Sequence, residues 1–383
     1  MRYSIYLTII SIVVGFTFHA VTPDFPMRGD TQTFYDPIAK NLAQGTGFWL
    51  NGEPTARVAP AYPFILSLIY RLGGGFNEML ILQIFILAGI AVFGYLIANR
   101  IISSRKFAFL AALNIALWPY LLLYSKLALT ETLFVFLLVA AIHALTVFSQ
   151  TPSVKNAVLA GSIMGFATLT RPLILFLPLY IIGLATLAAI IFRRNDILRE
   201  SKKWALALAI FFLVLAPWTA RNFIQFDKLI PITSGLSASL NRAYVTLDYT
   251  EGTPALSPEK ATIFDHVISR AKNIYLFWNP GTNGSNADLL SEKNSLFNLA
   301  FLLYKIIFIL TVSLSAFAFI ISKLHRRQTV LLLGFVILYF WIIHTILYPY
   351  PRYTLPIMPS VIILAWASIY YIYNEYTSWR KTH

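Results

Sequence analysis

Three features predict an all-α polytopic membrane protein of about ten transmembrane helices, with short juxtamembrane helices in a large first extra-membrane loop. The 383 residues are 58% hydrophobic and only 12% charged, about half the ~25% charged share of a soluble domain. Apolar runs recur at lengths of roughly 17–25 residues, enough for a helix to cross a bilayer core of ~30 Å. Basic residues gather in the short connections between alternate runs, as the positive-inside rule requires. The whole chain, 1–383, reads as one multi-pass unit.

The first run, 4–20, follows a basic start. "MRYSIYLTIISIVVGFTFHA" also has the shape of a cleaved secretion signal ending at Ala20. Retaining it as a span keeps the number of spans even and agrees with the charge bias. A first extra-membrane loop then occupies 21–77. Within it, Asp36 is placed to N-cap a short helix, with Pro37 at its first position and Gly45 just past its end. Ile38 and Leu42 give that helix an apolar face suited to lying on the membrane surface. Tyr62–Leu72, bracketed by Pro60, Pro63 and Gly73-Gly74-Gly75, is too short to span and reads as interfacial or re-entrant. Six more runs follow at 79–98, 107–123, 129–148, 157–170, 173–192 and 204–220. The run 157–170 is short and stops at Arg171-Pro172. A second large loop, 221–296, precedes the runs 297–321, 329–347 and 355–373. Loops of this length carry function or are disordered, and the aromatic content here, Trp49 and Trp278 included, argues against disorder.

Charge orients the chain. The connections "NRIISSRK", "FRRNDILRESKK", "SKLHRRQ" and the tail "SWRKTH" fall on one side. That side takes half of the 30 Lys and Arg but only three of the 16 acids, Asp196, Glu200 and Glu375. It is therefore cytoplasmic, with both termini on it. The formal charge of +14 is explained by topology and contact with anionic lipid, not by binding of nucleic acid. With no cysteine in the chain, disulfides, thiolate zinc sites and cysteine nucleophiles are excluded.

Charges at membrane depth are costly, about 2.5–3.5 kcal/mol each at a helix centre, so each needs a reason. On the non-cytoplasmic side they are Asp30, Arg57, Lys126, Glu131, Arg171, Arg221 and Arg352. Nearly all sit where a run meets that surface, in "YSKLALTETLF", "LTRPLIL", "PWTARNF" and "YPYPRYTLP". Taken singly, a Lys or Arg there reads as snorkelling to the headgroups. Taken as a set, four arginines on one face suit an anion site, since the guanidinium fork matches phosphate. Asp30 reads equally as a solvated loop acid or a functional carboxylate. His143 and His344, inside or near runs, read as bundle histidines bonded to neighbours. No HExxH, Walker, GxSxG or EF-hand pattern is present.

These residues resemble the GT-C class of membrane glycosyltransferases, in particular the bacterial branch akin to dolichyl-phosphate-mannose protein mannosyltransferases and the lipid A aminoarabinose transferases. "GDTQTFYDPIAKNLAQGTGF" is similar to that class's first-loop pattern, and "RVAPAYPFILSLIYRLGG" to the proline-rich element after it. "LTETLFVFLLVAA", "LTRPLIL", "PWTARNF" and "PRYTLPIMP" follow in the expected order, so the resemblance runs from Asp30 to Pro359. It departs in two respects. Asp30 stands five residues before Tyr35 instead of four, and the chain ends soon after the last run, short of the large C-terminal extra-membrane domain of some members. The 221–296 loop is expected to take over part of that domain's work.

The resemblance implies an inverting transfer of a sugar from a polyprenyl-phosphate donor to a hydroxyl of a lipid, polysaccharide or protein. The site would face the periplasm of a bacterial inner membrane. Asp30 corresponds to the catalytic base and Glu131 to the second-loop acid near the site. Arg57, Lys126, Arg171, Arg221 and Arg352 correspond to groups that hold the donor's phosphate, and Tyr35, Tyr62 and Tyr353 complete the expected substrate-binding set. No cofactor is implied. A divalent ion shared by Asp30 and Glu131 is the weaker reading, since hard cations want more oxygen ligands. Besides lipid, the expected partners are the donor and the acceptor. A transporter or flippase of lipid-linked sugars is the alternative, but such proteins carry functional charges near the midplane, whereas these gather at one surface. A structural subunit of an envelope complex is a third reading. The topology has a direct check: green fluorescent protein fused to either terminus should fluoresce, and a dark fusion at one end alone would contradict the even span number.

Overall fold

The computed structural model describes residues 2–25, 27, 29–191, 201–235, 263–279, 295–321, 328–347 and 351–382. All ten predicted runs fall on helices. In order these are α1 (Arg2–Val21), the first-loop helices α2 (Asp36–Ala43) and α3 (Ala61–Arg71), then α4 (Phe76–Ile101), α5 (Arg105–Ala116), α6 (Pro119–Lys126), α7 (Thr130–Gln150), α8 (Val154–Thr170) and α9 (Leu177–Ile191). The remainder are α10 (Ser201–Phe226), α11 (Ile263–Leu276), α12 (Ser295–Ile320), α13 (Gln328–Ile346) and α14 (Met358–Thr382). Among the described residues, seven helices are long and apolar enough to cross a membrane. The bent pair α5–α6, kinked by 44°, makes an eighth if counted as one span. Pro119 causes that break: it forces Trp118 into an extended conformation (ψ 120°) and supplies no amide to the turn before it. The other two predicted runs form α8 and α9, helices of 17 and 15 residues, so the expected count of ten rests on two short segments. Multi-pass membrane architecture follows from these helices.

Close packing depends on small residues. Gly161 and Gly165 form a small-xxx-small stripe on α8 against α10. A Cβ on Gly161 would lie 2.3 Å from the Ala207 carbonyl oxygen, and one on Gly165 would lie 2.7 Å from Val214 Cβ. In a bilayer such close backbone approach replaces the hydrophobic drive that water would supply.

The first loop differs from expectation in three ways. A π-helical turn, Thr31–Tyr35, precedes α2, so Asp36 is already helical (φ −65°, ψ −50°) and is not the N-cap. Its carboxylate instead pairs with Lys40 at 2.8 Å and accepts from the Tyr70 hydroxyl. Nor does α2 rest its apolar face on the membrane: Ile38 and Ala39 are fully buried inside the protein, Ala39 packing with Tyr62 and Leu66 of α3. The third difference is a hairpin, β1 (Trp49–Leu50) paired antiparallel with β2 (Glu53–Pro54). Its turn residues Asn51 (φ 53°) and Gly52 (φ 83°) adopt the doubly left-handed type I′ form, for which Asn-Gly is the strongest short-range signal. α3 is amphipathic, burying Tyr62 and Leu66 while exposing Phe64 and Leu68. The start of the second loop folds onto the first, Ser234 N donating to Ala56 O (2.9 Å) and Thr233 Oγ1 to Arg57 O, and onto α10, where Trp218 Nε1 donates to Ile232 O (2.7 Å). Of the 221–296 loop, 236–262 and 280–294 lie outside the described residues.

Gly161→Ala should destabilise the protein by about 1–3 kcal/mol, because the neighbouring atom is backbone and cannot yield. Gly183→Ala in α9, where an added Cβ meets nothing within 4 Å, should be neutral or slightly stabilising. Thermal unfolding in detergent checks the pair, and equal midpoints would refute the packing account.

Candidate active site

The site begins at Gly29, whose left-handed φ of 59° turns the chain out of the loop in a way that L side chains resist. Asp30 follows. Its side chain is exposed and, among the described residues, has neither a hydrogen-bond nor an ion-pair partner. The π turn then absorbs the five-residue spacing to Tyr35. Asp36 N bonds to Thr31 O, an i→i+5 closure in place of i→i+4. The extra residue is looped into the wider turn, so Tyr35 is carried back into the electrostatic range of Asp30. π turns of this kind concentrate at functional sites.

Tyr35 is buried with its hydroxyl bonded to Thr130. Its pKa is pushed above the ordinary phenol value mainly by burial. The Asp30 and Glu131 carboxylates add to the shift, and the Arg171 guanidinium partly offsets it. Tyr35 therefore stays a neutral hydroxyl. Tyr62 stacks edge-on against it at 5.2 Å. Burial first, then Tyr35 and Glu131, raise the Tyr62 phenol as well.

Glu131 is the centre of the next layer. It lies in the first turn of α7, 3% exposed, where the helix dipole favours an anion. Arg171 Nη1 approaches Glu131 Oε1 at 3.4 Å and lies over the Phe134 ring at 5.8 Å. Pro172 holds Arg171 extended (φ −142°, ψ 115°) at the end of α8, which directs the guanidinium across to α7. Arg352, from the 3₁₀ segment Pro351–Ile357, is under the charge of Glu131 too and bonds to Tyr353. Tyr353 in turn lies 4.5 Å from the His344 ring. His344 bonds through Nδ1 to Phe340 O at 2.7 Å, a bundle contact. His143 packs against Phe93 at 5.6 Å. Among the described residues, no group of three or more His, Asp or Glu side chains gathers as metal ligands.

Asp30, Tyr35, Tyr62, Glu131, Arg171, Arg352 and Tyr353 are thus brought together. The remaining predicted residues go elsewhere. Arg57 is exposed and covers the Phe34 ring of the π turn at 4.7 Å. Arg221 ties α10 to the first-loop hairpin through Thr55 O (2.7 Å) and Phe48 O (3.2 Å), with Trp218 at 5.0 Å under its guanidinium. Lys126, 2% exposed, donates to carbonyls at the end of α1. Sequence reasoning missed Thr130, which joins Tyr35 to Glu131, although it adjoins Glu131 in "LTETLF". Also missed was a cavity of about 570 Å³ opening beside the π turn, lined by Met27, Asp36, Lys40, Tyr70, Arg71 and Phe76 among others.

Glu131→Gln should destabilise the fold by about 3 kcal/mol, the lower end for breaking a buried pair, because Arg171 retains some solvent. Adding Arg171→Met should recover part of that loss, read by thermal unfolding. A double variant as unstable as the sum of the singles would disprove the pairing.

The family profile described as dolichyl-phosphate-mannose-protein mannosyltransferase matches residues 57–220. The matched segment, fewer than half the residues, includes Arg57, Tyr62, Lys126, Glu131 and Arg171 but neither Asp30 nor Arg352. No match is found among curated proteins. The structure of ArnT from Cupriavidus metallidurans bound to undecaprenyl phosphate superposes with a TM-score of 0.61 at 14% identity, over 95% of this chain and 59% of ArnT. The apo form of the same ArnT gives 0.58 at 13% identity with the same coverage. The chain spans about three-fifths of the length of the ArnT structures it matches. Helix order and these likenesses lead to one conclusion: the chain is a multi-pass membrane protein of the GT-C fold, and its residues 57–220 match the dolichyl-phosphate-mannose-protein mannosyltransferase profile.

Proposed function

We propose that the protein is an inverting glycosyltransferase that moves a sugar from a polyprenyl-phosphate donor to an acceptor hydroxyl at the periplasmic face of a bacterial inner membrane. The observation that carries this reading is that two acidic groups act on Tyr35 from different surroundings: Asp30, with no hydrogen-bond or ion-pair partner among the described residues, and Glu131, which meets Arg171 and Arg352. The family match and the ArnT complex with undecaprenyl phosphate support the donor class.

In this reading the prenyl tail lies among the spans and the phosphate meets Arg171, Arg352 and Tyr353. Asp30 takes the proton of the acceptor hydroxyl as general base. The acceptor oxygen bonds to the anomeric carbon as the carbon–oxygen bond to phosphate breaks, and the electron pair leaves on the phosphate. A phosphate monoester is a weak base, so no general acid is needed. The developing charge is met by preorganised cations. Arg57, over the π turn, adds positive potential at the mouth. The cavity beside Asp36 supplies room for an acceptor on the water side. The acceptor is a lipid, polysaccharide or protein hydroxyl.

Asp30→Asn should lower the turnover of label from a polyprenyl-phosphate sugar by roughly 10²–10⁴-fold, with donor KM little changed because no donor contact is removed. Assay of membranes containing wild type or variant, against a panel of labelled donors, checks this. Full activity in Asp30→Asn would refute the base assignment.

A further inference from the structure

We propose that Lys126 and Ala128 form a positioning platform that grips the chain on both sides of Asp30, and that Lys126 is a positioning residue rather than a phosphate ligand. The inference rests on the reading of Asp30 as base.

Upstream of Asp30, the grip is on α1. Lys126 Nζ donates to His19 O (2.7 Å), Thr22 O (2.6 Å) and Thr22 Oγ1 (3.2 Å), and pairs with Asp24 at 3.3 Å. An ammonium has three protons, and these three bonds use them all. The last carbonyls of a helix lack intrahelical partners and favour a cation, so the lysine completes the end of α1. The side chain is 2% exposed and its charge is already met by Asp24, so it is committed to the end of α1 and not to a phosphate.

Downstream, the grip is on the π turn. Ala128 sits at φ 48°, left-handed for a residue with a Cβ. That turn presents its carbonyl to two donors at once, Thr31 Oγ1 at 2.9 Å and the Tyr62 hydroxyl. Thr31 is fully buried and adjoins Asp30. Asp30, whose side chain has no partner among the described residues, is therefore located by its neighbours, through the bonds that Lys126 and Ala128 make on either side of it. The same turn runs directly into Thr130 and Glu131. Base and anion site are thus registered against each other by a single stretch of backbone, 126–131.

The chain is tested whole, in detergent, as Lys126→Met and as Thr31→Val, which removes one hydroxyl at nearly constant volume. Hydrogen exchange should quicken about tenfold or more in residues 19–31 of Lys126→Met while α7 stays protected. With a polyprenyl-phosphate sugar that the wild type transfers, kcat should fall about 10- to 100-fold in both variants, with donor KM within about twofold. Unchanged exchange in 19–31, or a donor KM raised about tenfold at constant kcat as loss of a phosphate contact would give, overturns the proposal. If Lys126→Met unfolds, Thr31→Val decides on the same criteria. If the wild type transfers nothing from any donor, the glycosyltransferase reading falls, and the exchange data alone decide whether the platform holds the segment.

Discussion

The end of this protein that carries the first loop is organised around one buried carboxylate. Glu131 is almost without solvent at the start of α7, and an ion so placed is tolerable only if its charge is met. Three things meet it: the helix dipole, Arg171 arriving from the end of α8, and Arg352 arriving from the segment before α14. Elements far apart in sequence are thereby pinned to one point. The two guanidiniums bring two positive charges to one carboxylate, so the cluster retains a net positive charge. A phosphate is the natural complement to that excess, and arginine's planar fork is the side chain best matched to it.

Asp30, the proposed base, is handled in the opposite manner. It is exposed, and its side chain has no hydrogen-bond or ion-pair partner among the described residues. What it lacks in side-chain contacts it gains from backbone: Gly29 turns the chain, the π turn returns Tyr35 toward it, and Thr31 fixes the residue next to it. Burial keeps Tyr35 and Tyr62 neutral, so the wall between the two charged regions is made of hydroxyls.

Much of this was legible in the sequence. Ten apolar runs became helices because hydrophobicity over a membrane-spanning length is a strong signal. The uncertain feature was span length, where α8 and α9 fall short. The five-residue interval from Asp30 to Tyr35 marked the π turn without revealing it, since Thr31, where the i→i+5 closure begins, is anchored from Ala128, far away in sequence. Asn51-Gly52 announced a hairpin that was overlooked among the polar residues of the loop. The basic set was harder to sort. Charge and position mark Arg171, Arg221, Arg352 and Lys126 alike. Which of them meets a carboxylate and which meets carbonyls depends on partners distant in sequence, such as Thr55 for Arg221 and His19 for Lys126. The face of α2 was misassigned for the same reason: an apolar stripe looks alike whether lipid or α3 covers it.

The central claim is that the Arg171–Arg352 pair around Glu131 binds a polyprenyl phosphate. Its most direct test is equilibrium binding of undecaprenyl phosphate to the purified chain, compared with Arg352→Met. Loss of one charged hydrogen-bonding partner, about 1.5–3 kcal/mol, predicts saturable binding by the wild type and affinity weaker by about 10- to 100-fold in the variant. Equal affinity in the two proteins, or no binding by the wild type, would contradict the account.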